Sequence, residues 1–240
     1  MLEQLKHNGF TQKLELDLTL LEELRIESLA LRDNLLKKGT DIAGKPIWDS
    51  LMLSTATDGQ SIDENSVFIR FALQAKIVRL VTHFFGEVPY LSYVFLAHSK
   101  YSGQENQISQ LWHRDYDDIS VIKLFVYLTD VLDVEYGPFT LINKPSSRRI
   151  SSFHSTHLKD EYIFSKISRE SVFQMLYPAT GAFLVNTSHC YHMGSRLSSG
   201  KTRLMYTACF ITHPTIYPNT KNPCLIKGKT NPIIQMLLTP

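Results

Sequence analysis

Ile119-Ser120-Val121-Ile122-Lys123-Leu124-Phe125-Val126-Tyr127-Leu128 decides how this chain is read, because it is dense in the β-branched and aromatic residues that suit a pleated, packed surface. Runs of the same character flank it at 90–98 and 108–115, then at 139–143, 181–186 and 203–212. The second half therefore reads as an all-β unit. Residues 151–177 break the rhythm with mixed charged and aromatic side chains, which predicts a partly helical insertion placed to cover a site.

Upstream the periodicity changes. After the alternating stretch Leu14 to Leu18, Thr19 and Glu22 stand at capping-box spacing before a stripe of Leu21, Leu24, Leu31 and Leu35 that ends near Gly39. A second helix is expected from about 67 to 85, where Ile69, Leu73, Ile77, Leu80 and Phe84 recur and Gly86 with Pro89 close it. Residues 40–65 read as a polar loop. Pro214, Pro218, Pro223 and Pro232 suggest an extended tail over 213–240. Helices first and antiparallel strands afterwards imply a mainly β protein with flanking helices. Its 240 residues suit one domain: a helical layer over 1–89, then the β unit over 90–212, then the tail.

Composition narrows the partners. With 43% hydrophobic and 20% charged residues the chain is of ordinary globular type. Its 25 basic and 23 acidic side chains lack the footprint of a nucleic-acid binder. Met1 to Phe10 has no apolar signal core and no run reaches membrane-spanning length, so the expectation is a cytoplasmic chain without membrane or nucleic-acid partners. Three cysteines, Cys190, Cys209 and Cys224, cannot all pair within one chain, and none forms a CxxC.

The chemistry begins just before the decisive strand, in Leu111-Trp112-His113-Arg114-Asp115-Tyr116-Asp117-Asp118. In extended backbone alternate residues share a face, so His113 and Asp115 project together and Arg114 points away. A third imidazole from a distant strand would complete a 2-His-1-carboxylate set, which leaves positions open on Fe(II) for co-substrate and dioxygen. His192 is the candidate, within Asn186-Thr187-Ser188-His189-Cys190-Tyr191-His192-Met193-Gly194. Eleven positions further on, Arg203 opens the next strand, where its fork can bind the far carboxylate of a dicarboxylate.

These blocks resemble the phytanoyl-CoA dioxygenase family of 2-oxoglutarate oxygenases. The likeness rests on the Trp-His-x-Asp core at 112–115, the strand from Lys123 to Asp130, the turn Gly137-Pro138-Phe139, and the Thr-Ser-x-x-x-His-x-Gly pattern at 187–194 with its downstream Arg203. The resemblance implies a double-stranded β-helix, or jelly roll, of cupin type. It further implies His113, Asp115 and His192 as iron ligands and Arg203 as the clamp for 2-oxoglutarate. The reaction implied is an oxidation, most often hydroxylation, of an unactivated C–H bond in a small-molecule substrate, with release of succinate and carbon dioxide. Pro145-Ser146-Ser147-Arg148 departs from the Pro-Gly-Ser-His segment of many relatives. Asp115, where related halogenases carry Gly or Ala, points to oxygenation.

Rival readings of the same residues are weaker. His189 lies fourteen rather than eleven positions before Arg203, and a zinc site of His189, Cys190 and His192 lacks a fourth ligand. A kinase loop at His113-Arg114-Asp115 fails because Ser120 stands where Asn is needed. Trp112, Phe125 and Tyr127 read as core. Lys123 is expected to meet Asp117, Asp118, the co-substrate carboxylate or solvent, and Gln107 and Gln110 are candidate donors to the 2-oxo acid. Arg148, Arg149 and Lys159 are available to an anionic substrate. A metal-dependent jelly-roll isomerase or epimerase, and a binding protein of the same fold, are the alternative functions.

Overall fold

The computed structural model describes residues 1–38, 44–45, 47–53, 62–151, 155–215, 226, 228 and 230–239. In chain order the elements are α1 (Leu2–Asn8), α2 (Leu18–Lys38), β1 (Gly44–Lys45), β2 (Trp48–Leu53), α3 (Val67–Ala72), α4 (Ala75–Phe85) and β3 (Tyr90–Lys100). There follow β4 (Val121–Tyr127), β5 (Thr140–Ile142), α5 (Lys144–Ser147), α6 (Asp160–Phe164), β6 (Val172–Gln174), β7 (Ala182–Asn186), β8 (His192–Met193), β9 (Thr202–Ile211) and α7 (Pro232–Leu238). A six-stranded sheet runs β1-β2-β3-β9-β4-β7 and a three-stranded sheet runs β6-β5-β8, with every pairing antiparallel. This is the mainly β architecture with flanking helices that the pattern of elements implied, and the jelly roll that the resemblance implied.

Strand β4 shows how the layers form. Its seven residues are all buried, because each face meets a different neighbour. Ile122, Leu124 and Val126 join the core against the helices, together with Leu21, Leu24, Phe71, Ile77 and Val81. Phe125 and Tyr127 face the other way and pack with Phe183, Phe139 and Leu141, the last two at the small sheet. Burying a side chain of this size stabilises by about 1.5–3 kcal/mol, so the two cores together hold β4 in one register.

Several expectations are corrected. The stretch from Leu14 to Leu18 is not a strand: Thr11 and Leu14 donate their N–H groups to Leu184 and Ala182 at the edge of β7, and Leu18 is exposed. The cap of α2 is Asp17, which receives Leu20 N–H on its carboxylate at 3.0 Å, rather than Thr19 and Glu22. Gly39, Pro218, Pro223 and Cys224 lie outside the described residues.

The helix expected over 67–85 is two helices. At the break, the Gln74 side chain donates to the Phe71 carbonyl and accepts from Asp17 N–H, so it satisfies one helix end and ties down another loop. Within 40–65, β1 and β2 add to the edge of the large sheet instead of forming only loop. The tail ends in α7, whose Leu237 and Leu238 are buried. At the other end, α1 stops at Gly9, with φ 84, where a Cβ would lie 2.3 Å from Cys190 Sγ. Only glycine tolerates both that backbone and that approach.

The expected strand at 108–115 is a 3₁₀ turn, Ile108–Gln110, followed by extended backbone held through single bridges, Trp112 with Leu158 and His113 with His192. The Gln107 and Gln110 side chains cap that turn reciprocally, which bends the chain out of any ladder. Among the described residues of the insertion, Asp160 in α6 accepts both Nη groups of Arg196 at 2.7 and 2.9 Å and Trp112 Nε1 at 2.7 Å. That bidentate pair anchors the insertion beside the 112–115 segment.

Candidate active site

His113 and His192 lie on neighbouring backbone that exchanges two hydrogen bonds, His113 N–H to His192 O at 3.0 Å and the reverse at 2.9 Å. Asp115 N–H donates to Thr187 O at 3.0 Å, so the carboxylate is fixed against the same loop. One ligand atom from each of His113, Asp115 and His192 falls within 4.8 Å of the others. The same-face pairing expected of His113 and Asp115 therefore holds, although the backbone is a bridged extended segment rather than a ladder strand.

Each imidazole has its Nδ1 next to a backbone carbonyl, Leu111 O at 2.9 Å for His113 and Cys190 O at 3.0 Å for His192. Nδ1 thus carries the hydrogen in both rings, and the Nε2 lone pairs face the carboxylate, at 3.9 and 3.6 Å from its oxygens. Burial is the largest influence on both rings. It lowers His113 to about 3, assisted by repulsion from His192, and it holds His192 below its ordinary value despite Asp115. Burial alone would raise Asp115, but Lys123 and the two imidazoles outweigh it and hold the carboxyl well below the usual range. Two neutral nitrogen donors and one ionised carboxylate are the donor set that suits a non-haem Fe(II) ion.

The triad opens on a cavity of about 620 Å³ between the two sheets, whose lining also includes Arg203, Lys123, Arg114 and His157. Arg203 is 2% exposed. It donates to Gly137 O through Nη1, and through Nη2 to Ser195 Oγ at 2.8 Å and Ser99 Oγ at 3.3 Å, while its Nε is buried without a partner. Among the described residues no carboxylate pairs with it. Burial pulls the guanidinium below its usual value and only the Tyr127 phenol opposes that. A buried cation without an acid, in a cavity with a metal-type donor set, is a receptor for an anion. Gly137 adopts φ 60, and a Cβ there would lie 2.8 Å from Arg196 N, so the glycine lets the turn bring its carbonyl to Arg203.

Lys123 is elsewhere. Arg203 stands opposite Ser99, whereas Lys123 stands opposite Cys209, six residues further along β9 and roughly 20 Å away along the strand. Its ammonium bridges Asp115 Oδ2 at 2.8 Å and Asp117 Oδ2 at 2.7 Å, beneath the Tyr93 ring. Asp118 instead accepts from Thr215. Gln107 and Gln110 do not join the cavity lining. The Gln107 amide donates to Gln104, and the Gln110 amide donates to Ser195 O, which steadies the loop that carries Ser195. His189 also stands apart, with Nδ1 beside Asn186 and Ser188.

Sequence reasoning missed Ser99, Ser195 and His157. The serines carry no local signal, although strand pairing puts Ser99 beside Arg203. His157 comes from the insertion and stacks on His113 at 5.4 Å. Among the described residues, two of the three non-glycine residues at positive φ, Ile108 and Ser195, line this cavity, in keeping with backbone strain gathering at functional sites.

No protein-family model matches the chain, and no curated protein matches its sequence. Solved structures match its fold. EctD from S. alaskensis in its apoform has a TM-score of 0.65 at 13% identity, covering 97% of this chain and 87% of that one. ThoJ, a non-heme monooxygenase, has a TM-score of 0.63 at 14% identity, covering 95% and 84%. The epimerase SnoN, in complex with Fe3+, alpha ketoglutarate and nogalamycin RO, has a TM-score of 0.62 at 14% identity, covering 97% and 91%. The fold is one shared by non-haem iron enzymes that depend on 2-oxoglutarate. No helix among the described residues is long and apolar enough to cross a membrane.

Proposed function

We propose that this chain is an Fe(II)- and 2-oxoglutarate-dependent oxygenase of the phytanoyl-CoA dioxygenase type, acting on a C–H bond of a small-molecule substrate in the cytoplasm. The observation that carries the reading is Arg203: a buried guanidinium with no acid beside it, sharing one cavity with the His113, Asp115 and His192 donors. When bound, iron would supply the oxidising chemistry with dioxygen and the 2-oxo acid, from which carbon dioxide is lost and succinate remains.

The residues have separate tasks. His113, Asp115 and His192 hold the metal through atoms already deprotonated at neutral pH, so loading it displaces little bound acid. Arg203, with Ser99 and Ser195, binds the carboxylate of 2-oxoglutarate remote from iron. Phe125, Phe139 and Met205 line the cavity between these points and exclude water from it. Incubating the purified chain with Fe(II), 2-oxoglutarate and a metabolite collection, and measuring succinate, tests the reading. Metal-dependent succinate formation supports it, and none across the collection counts against it.

One observation favours a second outcome of the same chemistry. SnoN is an alpha ketoglutarate dependent epimerase, so a fold neighbour inverts a centre rather than adding oxygen. Product analysis by mass separates the two: hydroxylation adds one oxygen to the substrate, and epimerisation leaves its mass unchanged.

A further inference from the structure

The charged side chains of the cavity lining are all committed. Lys123 bridges the two acids of the lining, Asp115 and Asp117, at 2.8 and 2.7 Å. Arg203 is taken by the remote carboxylate of 2-oxoglutarate. The Arg114 guanidinium lies 4.9 Å over the Tyr191 ring, on the face of its segment away from His113 and Asp115. A divalent metal on Asp115 and two neutral imidazoles, together with a doubly negative co-substrate, then leaves as many positive as negative charges in the cavity. A charged group on the substrate would be buried there without a counter-ion, which is costly.

Asp117 is the polar group that still has an oxygen to offer. Its Oδ2 accepts from Lys123 and, at 3.4 Å, from the Tyr93 hydroxyl, whereas no described residue donates to its Oδ1. Its side chain is 34% exposed against 9% for Lys123, so the carboxylate and not the ammonium meets what enters. A carboxylate only accepts, so it selects an O–H or N–H donor and repels a carboxylate or a phosphate. The ammonium fixed against its other oxygen repels a cation in turn. Position assigns this group to the substrate. Lys123 stands opposite Cys209 and Arg203 opposite Ser99, so Asp117 lies at the end of the cavity away from the co-substrate clamp. One ammonium joins it to Asp115, which keeps it close to the metal. The rest of the lining is largely apolar, with Phe95, Ile108, Phe125, Phe139 and Met193.

We propose that Asp117 is a substrate-recognition residue, and that the substrate is an uncharged, largely apolar molecule whose hydroxyl or amide group donates a hydrogen bond to Asp117 Oδ1. The proposal deepens the oxygenase reading and rests on it. Because Asp117 and Asp115 share one ammonium, the carbon that reacts is near the donor group of the substrate. The cavity volume of about 620 Å³ is within the range that holds a drug-sized ligand, enough for the co-substrate and a second small molecule together.

Calorimetry on the full chain, loaded with Ni(II) and saturated with 2-oxoglutarate, tests this with probes of one size class: 2-phenylethanol, phenylacetamide, phenylacetate, 2-phenylethylamine and ethylbenzene. Saturating 2-oxoglutarate keeps the anion from Arg203. The alcohol or the amide should bind about ten-fold more tightly than either charged probe, and more tightly than ethylbenzene. Whichever of the two is preferred tells an O–H donor from an N–H donor. Asp117→Asn keeps the shape and removes the charge, so it should weaken the neutral donor and admit phenylacetate, shrinking the ratio between them about ten-fold. Its affinity for 2-oxoglutarate should stay within about three-fold of wild type, and a parallel loss there would make Asp117 a support of the metal site and overturn the proposal. A charged probe or ethylbenzene binding as tightly as the neutral donors, binding by no probe, or an unchanged ratio in Asp117→Asn also overturns it. The wild-type series decides the charge of the substrate even if the variant does not fold. Should 2-oxoglutarate fail to bind the Ni(II)-loaded chain while the probe preference still depends on Asp117, the oxygenase reading falls and the Asp117 site stands.

Discussion

Lys123 places its ammonium 2.8 Å from Oδ2 of Asp115, so the carboxylate of the candidate metal site is already engaged by a buried cation. Asp117 receives the same ammonium at 2.7 Å. Removing one partner of a buried pair costs about 3–5 kcal/mol because the other charge is stranded. Lys123→Met should therefore destabilise the metal-free protein by about 3 kcal/mol, and the deficit should shrink once Ni(II) supplies positive charge to Asp115. Urea denaturation with and without Ni(II) measures both. An equal loss in the two states would show that Lys123 serves packing and not the charge of the site.

The two histidines of the 186–194 loop should behave differently. His192 contributes to the donor cluster, whereas His189 turns to Asn186 and Ser188. His192→Ala is expected to lower Ni(II) affinity at least a hundred-fold, and His189→Ala to change it less than three-fold. Metal titration of the two variants decides between them, and the reverse pattern would move the ligand to His189.

Acid should weaken the metal-free protein before it protonates ordinary carboxylates. His113 has an ordinary value of 6.5 but stays neutral in the fold down to about 3. Between these limits the unfolded chain binds the extra proton, so stability rises with pH across the window and is lost as pH falls from 6.5. His192 is shifted the same way. Each imidazole contributes up to ~1.4 kcal/mol per pH unit. Asp115 adds a further loss only below its ordinary 3.8. Thermal midpoints should be flat from pH 8 to 7 and fall steadily below 6.5. A constant midpoint down to pH 5 would refute the neutral, buried imidazoles.

Of the two ion pairs that tie the described part of the insertion to the rest of the fold, Lys159 with Glu105 is the more exposed, and Arg196 with Asp160, which also receives Trp112 Nε1, is the more buried. Asp160 is 38% exposed at its side chain, so its effect on global stability should be small. Its local effect should be larger: Asp160→Asn is expected to speed limited proteolysis within 155–171 several-fold while Ni(II) affinity stays unchanged. Unaltered cleavage would mean that packing of Leu158 and Ile163 alone secures the segment.

Much of this site was legible before any coordinates because its signals are local. His113 and Asp115 are two residues apart, and β3, β4 and β9 each carry β-branched and aromatic runs that few other structures accommodate. What was hidden depends on distant partners. The break at Gln74 needs Asp17, and the strands β1 and β2 need the free edge of β3, which no short segment announces. Lys123 looked free to meet the co-substrate, and strand order, which separates it from Arg203, is not written in any short segment. Alternation also sends Arg114 away from His113 and Asp115, and its guanidinium does lie on the other face, over the ring of Tyr191.

The central claim is that the metal donors and Arg203 together bind 2-oxoglutarate, and calorimetry of 2-oxoglutarate binding tests it most directly. A charge-assisted contact of this kind contributes roughly 1.5–3 kcal/mol, or about ten- to hundred-fold in affinity. The account predicts that 2-oxoglutarate binds the Ni(II)-loaded wild type, binds the metal-free protein far more weakly, and loses ten- to hundred-fold in affinity in Ni(II)-loaded Arg203→Ala. Equal affinity with and without metal, or no change on removing Arg203, would contradict it.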